Sequence, residues 1–437
     1  MVKLHLEAPA EPMVRGRTLR AAAVLLVGLV FLSAPEGLLA QQRDTLRLVD
    51  AVDIALDANP SLKAARLRAD AAAERVPQAG AWHDPMLSFG LMNRPLSGFG
   101  TSEPMTMNSI QLTQRFPWPG QLGFKQQRAR HLAAAEALDA DEMERSLVAR
   151  VSGLYFHLAY SDRAIAIMVE TRDLLRNFLD VSSTRYTVGA GLQQDVLQAQ
   201  VAVARMSEDI TVMQQERIAM AARLNALLGR HAAVAIPGLV LLPPGNSLPR
   251  VDSLLTLATT TRPALLAAQA RVEAAEAGYR QARRELYPEF MVSLAYSERP
   301  QFDDMATVML GMTIPLFAGA KQLPMRREMA AMKATEEAME RDLLNETYAT
   351  LTELRAEADR AHTLSRLYAE AILPQAAASV ESALSAYRVG EVDYMTLVEN
   401  EMTVNRYRIE TARLAADYHR AVAELEALVG SPIGGTP

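Results

Sequence analysis

The sequence predicts a mainly α-helical chain built from two copies of one helix–strand–strand–helix unit, its strands forming part of a membrane β-barrel. Three observations lead there. Landmarks recur at a fixed separation, four short segments alternate apolar with polar residues, and some helical runs are too long for a globular core.

The landmarks set the organisation. Asn59-Pro60 opens a helical run that closes at Asp84-Pro85, and Arg262-Pro263 opens one that closes at Tyr287-Pro288, both 203 positions later. Tyr186-Thr187-Val188-Gly189 returns as Tyr387-Arg388-Val389-Gly390, 201 positions later. Leu224-Asn225-Ala226-Leu227-Leu228-Gly229 returns at the same separation as Leu425-Glu426-Ala427-Leu428-Val429-Gly430. General likeness between Ala-rich helices reproduces apolar spacing, but not Pro and Tyr-x-Val-Gly landmarks in one fixed order. The copies span 41–229 and 252–430, with a Pro/Gly-rich connector at 230–251 and a tail at 431–437.

Each copy is expected to run the same way. A first helix covers 48–82 or 252–286. A hairpin follows, 86–92 with 105–116 or 290–297 with 305–314. A very long helix covers 120–187 or 320–388, and a returning helix covers 192–228 or 393–429. The strands rest on alternation: Leu87, Phe89 and Leu91 share one face, Ser88 and Gly90 the other. Ile110, Leu112 and Phe116 oppose Ser109, Gln111, Thr113 and Arg115. Phe290, Val292, Leu294 and Tyr296 oppose Ser293, Ala295 and Ser297, while Val308, Leu310, Met312 and Ile314 oppose Thr307, Gly311 and Thr313. A half-buried soluble sheet gives the same pattern. The duplication, with a signal-peptide pattern over 1–40, favours a barrel with lipid outside and water inside.

Four strands cannot close a barrel, for which eight is about the minimum, so closure requires association; a trimer supplies 12. At about 1.5 Å per residue the helix 120–187 spans roughly 100 Å. Its partners 192–228 and 252–286 span roughly 55 and 50 Å, so end to end they match it, with the connector at their junction as a side belt. Leu147, Val151, Leu154, Leu158, Ile165, Met168, Leu175 and Leu179 follow coiled-coil spacing.

Composition narrows the class. Half the residues are hydrophobic, only 5% are aromatic, and the net charge of −6 carries no basic block, which argues against a nucleic-acid partner. The absence of cysteine removes disulfides, thiolate chemistry and a lipidated N-terminus. Arg15, Arg17 and Arg20 precede an apolar run from Ala21 to Leu32, the pattern of a signal peptide over 1–40 cleaved after Ala40. Met13 is an alternative start, and a membrane anchor is the competing reading, although the run is short for one.

The order of elements, Asn59-Pro60, the junctions Phe116-Pro117-Trp118-Pro119-Gly120 and Pro315-Leu316-Phe317-Ala318-Gly319, and the paired Tyr-x-Val-Gly turns resemble the TolC family of outer-membrane efflux proteins over residues 45–430. The resemblance implies a homotrimer in the outer membrane, its 12-stranded barrel continued by a long periplasmic α-helical barrel. It implies a passive duct docked to a periplasmic adaptor (a membrane fusion protein) and an inner-membrane pump. It places the periplasmic tip and adaptor docking at Tyr186, Gly189, Tyr387 and Gly390, and an acidic entrance constriction at Asp195 and Glu399, with Thr396 where another family acid often stands. Trp118 and Phe317 mark the membrane interface, contacting outer-membrane lipid.

Of 21 methionines, Met86, Met92, Met105, Met107, Met291, Met305 and Met309 fall on the polar strand faces. Thioethers are soft ligands for Cu(I) and Ag(I), so Met105, Met107, Met305 and Met309 are expected as weak lumen contacts for heavy-metal export. The Pro-Trp-Pro-Gly junction resembles the heavy-metal branch of the family. Methionine is equally a flexible filler, and export of drugs, peptides or proteins remains an alternative. No catalytic or cofactor motif stands out: the seven histidines are scattered, and phosphate loops and nucleophile elbows are lacking. A soluble periplasmic coiled-coil adaptor or scaffold is the alternative of another class.

Overall fold

The computed structural model describes residues 46–95, 100, 103–245 and 247–433. The expected signal peptide lies outside them. Helices α1 (Leu48–Ala58) and α2 (Pro60–Gly80) lead into strands β1 (Met86–Met92) and β2 (Met107–Phe116). Helices α3 (Gln121–Thr187) and α4 (Gln193–Leu227) complete the first copy. The second runs through α5 (Val251–Thr261), α6 (Pro263–Arg284), β3 (Glu289–Glu298), β4 (Met305–Thr313), α7 (Gln322–Leu367), α8 (Leu373–Val389) and α9 (Tyr394–Val429).

Three expected helices are interrupted. Pro60 and Pro263 split the runs 48–82 and 252–286, because a residue before proline is pushed out of the α region. Asn59 and Arg262 sit at ψ 119° and 117°. Asn59 then caps α2, its Oδ1 accepting from the Ser61 and Leu62 amides, and its Nδ2 donates to the Leu227 carbonyl at 3.0 Å. In the second copy Thr261 makes the matching tie, donating to the Val429 carbonyl at 2.7 Å. The run 320–388 contains a π-helical turn, Tyr368–Ile372, beside Pro374 in the first turn of α8; proline has no N–H to continue the ladder.

The four strands form one antiparallel sheet in the order β1-β2-β3-β4. Its register puts Met86, Thr113, Ser293 and Met309 in one rung, and Gly90, Ser109, Ser297 and Met305 in another. The opposite face carries the rung Leu87, Leu112, Leu294 and Val308, and the rung Phe116, Phe290 and Met312. Leu87, Phe89, Leu112, Leu294 and Val308 are all exposed. The sheet thus has a polar face and an apolar face that this chain leaves uncovered. β2 begins at Met107, so Met105, expected on a strand, lies in the preceding turn, with its carbonyl accepting from Asn93.

The helices continue the strand order: α2 packs on α3, α3 on α6, and α6 on α7. Farther along, α3 packs against both α4 and α9. Leu147, Val151, Leu158 and Leu175 are buried, as their spacing predicts. Between Arg230 and Arg250 the described residues of the connector string across these helices without helix or strand. Asp162 pairs with Arg217 and accepts from the Leu239 amide, and Arg217 reaches the Ile236 carbonyl. His419 bonds the Leu242 and Pro243 carbonyls, and Arg355 the Leu248 and Pro249 carbonyls. Among the described residues no helix is long and apolar enough to cross a membrane, which says nothing of a β-barrel.

Candidate functional site

The two Tyr-x-Val-Gly turns lie against each other. Gly189 and Gly390 adopt φ of +75° and +84°, the left-handed conformation that ends α3 and α8. The turns are joined by Arg185, one residue before the first landmark: it donates to the Tyr387 carbonyl across copies and to the Ala190 carbonyl at 3.1 Å, and lies 4.8 Å over the Tyr387 ring. Equivalent tyrosines have opposite surroundings. Tyr186 is 46% exposed, whereas Tyr387 is buried edge-on against the fully buried Tyr394.

The two carboxylates expected to share a constriction stand at different levels. Asp195 is in the first turn of α4, and Glu399 is a turn farther along α9. Asp195 lies close enough to Tyr387 and Tyr394 to add to what burial already does, holding both hydroxyls protonated above the usual tyrosine range. Among the described residues neither hydroxyl has a hydrogen-bond partner. Glu399 is exposed and lines a groove of about 880 Å³ between α4 and α9, with Leu197, Val201, Val398 and Met402 on its walls and Arg205 at its rim. Thr396 is taken up by Asp393, which caps α9 by accepting from the Thr396 amide at 2.8 Å and hydroxyl at 2.6 Å. These bonds hold the Asp393 carboxyl below the usual range. Two residues past Glu399, Glu401 is buried, and burial raises its carboxyl.

At the strand–helix junction Trp118 stacks on Tyr287 at 4.8 Å and on Phe290 at 6.0 Å, and Trp82 meets Phe116 edge-on at 5.1 Å. Phe317 projects freely, 80% exposed. On the polar face Met107 sits opposite Met92, and Met305 and Met309 lie on edge strand β4. Among the described residues no cluster of three histidines or carboxylates is arranged to hold a metal. Reading the sequence missed Arg185, Tyr394, Asp393 and Trp82. A capping pattern, Asp-x-x-Thr, signalled Asp393; the others are contacts between distant segments.

The family model for outer membrane efflux proteins matches residues 51–230 and 254–431, once for each copy. The chain belongs to the outer membrane efflux protein family. It is an outer-membrane protein with a large periplasmic helical part. Protein CyaE of Bordetella pertussis is 27% identical over 303 residues, covering 64% of this chain; the chain spans 62% of that relative's length. Among solved structures, CusC superposes with a TM-score of 0.78 at 16% identity, covering 88% of this chain and 92% of CusC. The outer-membrane channel OprN gives 0.75 at 18%, covering 88% and 90%. At such identities these structures establish the fold: a four-stranded sheet feeding long helices.

Proposed function

We propose that this efflux-family chain is a passive duct, closed only by association. The observation that carries it is the sheet, which has two open edges, β1 and β4, and an uncovered apolar face opposite a polar one. Unpaired backbone cannot stay in hydrocarbon, so in a bilayer the sheet must close, and three copies supply 12 strands around a polar lumen. The helices α2, α3, α6 and α7 follow the strand order and extend the wall into the periplasm. The chain carries no engine, so energy comes from an inner-membrane pump reached through a periplasmic adaptor. The adaptor meets the tip around Tyr186, Gly189, Tyr387 and Gly390. Asp195 and Glu399 make the entrance acidic at two levels.

Reconstitution in planar bilayers tests this. Stepwise conductance and a trimeric mass in detergent are the expected results; a soluble periplasmic monomer without conductance would reject the duct and favour a scaffold.

The sheet edges favour heavy-metal ions as cargo. Met86 on β1 and Met309 on β4 share one rung at opposite edges, so closure of β1 on a neighbour's β4 distributes thioethers around the polar lumen, with Met305 and Met107 one or more rungs away. Replacing Met86, Met107, Met305 and Met309 with leucine should lower copper and silver tolerance; unchanged tolerance sinks the cargo assignment and leaves the duct.

A further inference from the structure

We propose that the neck between sheet and helices carries a binding site for an anionic phospholipid of the periplasmic leaflet. Arg128 and Arg284 hold its phosphate, and the Trp118–Tyr287 stack flanks its glycerol. The Arg284 guanidinium lies 5.8 Å over the Phe124 ring. Phe124 and Arg128 are one turn apart on α3, so they share a face. The Arg128 side chain runs beside Gly278 of α6, where a Cβ would stand in ordinary contact, 3.4 Å from its Cδ. Both guanidinium groups therefore line the groove between α3 and α6. Neither has a carboxylate partner among the described residues. Lys125 and Arg283 are exposed nearby, and the neighbouring acid Glu285 is engaged by Gln281. In a chain of net charge −6 this is a local excess of cations.

The side of the wall is fixed by the aromatics. Trp118 and Tyr287 stack on each other, and Trp118 also stacks on Phe290, whose rung partners Phe116 and Met312 belong to the apolar face. The groove thus opens where hydrocarbon ends, at the end of the wall where the β4–α7 junction carries Leu316 and Phe317, each 80% exposed. Because α3 and α6 are the two middle helices of the wall, a neighbouring copy closing on α2 or α7 leaves this groove free. Guanidinium groups match a phosphodiester by forked hydrogen bonds, stacked aromatics suit the glycerol level, and the apolar strand face receives acyl chains.

The full-length protein in nanodiscs of phosphatidylcholine with minor phosphatidylglycerol, read by native mass spectrometry, tests the site. The wild type should retain phosphatidylglycerol over phosphatidylcholine by about tenfold, a preference that Arg128→Gln with Arg284→Gln abolishes. Arg128→Lys with Arg284→Lys should keep part of it. Lys63→Gln with Arg68→Gln, an equal charge loss on α2 away from the neck, should keep it whole. Equal retention of both lipids by the wild type overturns the proposal whatever the variants do. So does equal loss in both charge-removing pairs, or displacement of the lipid by inorganic phosphate. A channel that conducts without lipid preference would reject the site alone.

Discussion

Gly430 shows how much one residue carries at the end of α9. Its φ is +83°, and a Cβ there would be driven into the Thr261 carbonyl, at the break between α5 and α6. Gly430→Ala therefore combines left-handed strain with a backbone clash and should cost about 2 kcal/mol or more, read by denaturant unfolding in detergent. Gly189→Ala, at φ +75° with nothing within 4 Å, isolates the conformational part and should cost roughly 1 kcal/mol. Glu401 is the opposite case, a residue whose chemistry works against its place. Its carboxyl is raised by burial, so the charged form is disfavoured in the folded state. Stability is then greatest below about pH 4, where the unfolded chain is also protonated, and is lost as pH rises through the raised folded value. Glu401→Gln should raise the melting temperature at pH 7, with the gain shrinking toward pH 4; copy one already holds Gln200 at the matching position. A gain independent of pH would show that something other than the charge is responsible.

At the scale of elements, the two copies use one framework with different fastenings. The first break is capped by Asn59, while the second places Arg262 against Glu142 at 3.3 Å and against Thr347. The returning helix α4 follows Leu192 without a side-chain cap, whereas α9 is capped by Asp393. Asp393→Ala should thus cost about 1 kcal/mol. Faster amide exchange in the first turn of α9, with α4 unchanged, is the expected readout; equal change in both turns would deny Asp393 a capping role. The strands were legible almost to the residue, because alternation reports directly which face is wet. The helix breaks at Pro60 and Pro263 are visible in the sequence as landmarks, but the apolar spacing continues through them and hides the break. The π-helical turn had its local signal in Pro374, outweighed by the Ala-rich periodicity on both sides.

For the whole molecule, the proposed duct requires each sheet face to answer to a different solvent. No native cysteine exists to interfere, so single cysteines report on it cleanly. Thr307→Cys, on the polar face, should react with a water-soluble maleimide in reconstituted vesicles, and Val308→Cys, on the apolar face, should not. Equal labelling of both would place the sheet in water on both sides and remove the barrel. At this scale too the candidate site was only partly legible. The turns and their glycines were found from the duplication. The separation of Asp195 from Glu399 was not, because landmarks report position along the chain and say nothing of which neighbour a carboxylate meets.

The sequence alone determined the duplication, the element order and the strand faces, because each is written in local periodicity or in landmark spacing. Only the tertiary structure decided that β2 pairs with β3 to join the copies, that Arg185 ties one turn to the other, and that Arg128 and Arg284 line one groove. These contacts join segments far apart along the chain, where no local pattern reaches and only burial and geometry select the partner.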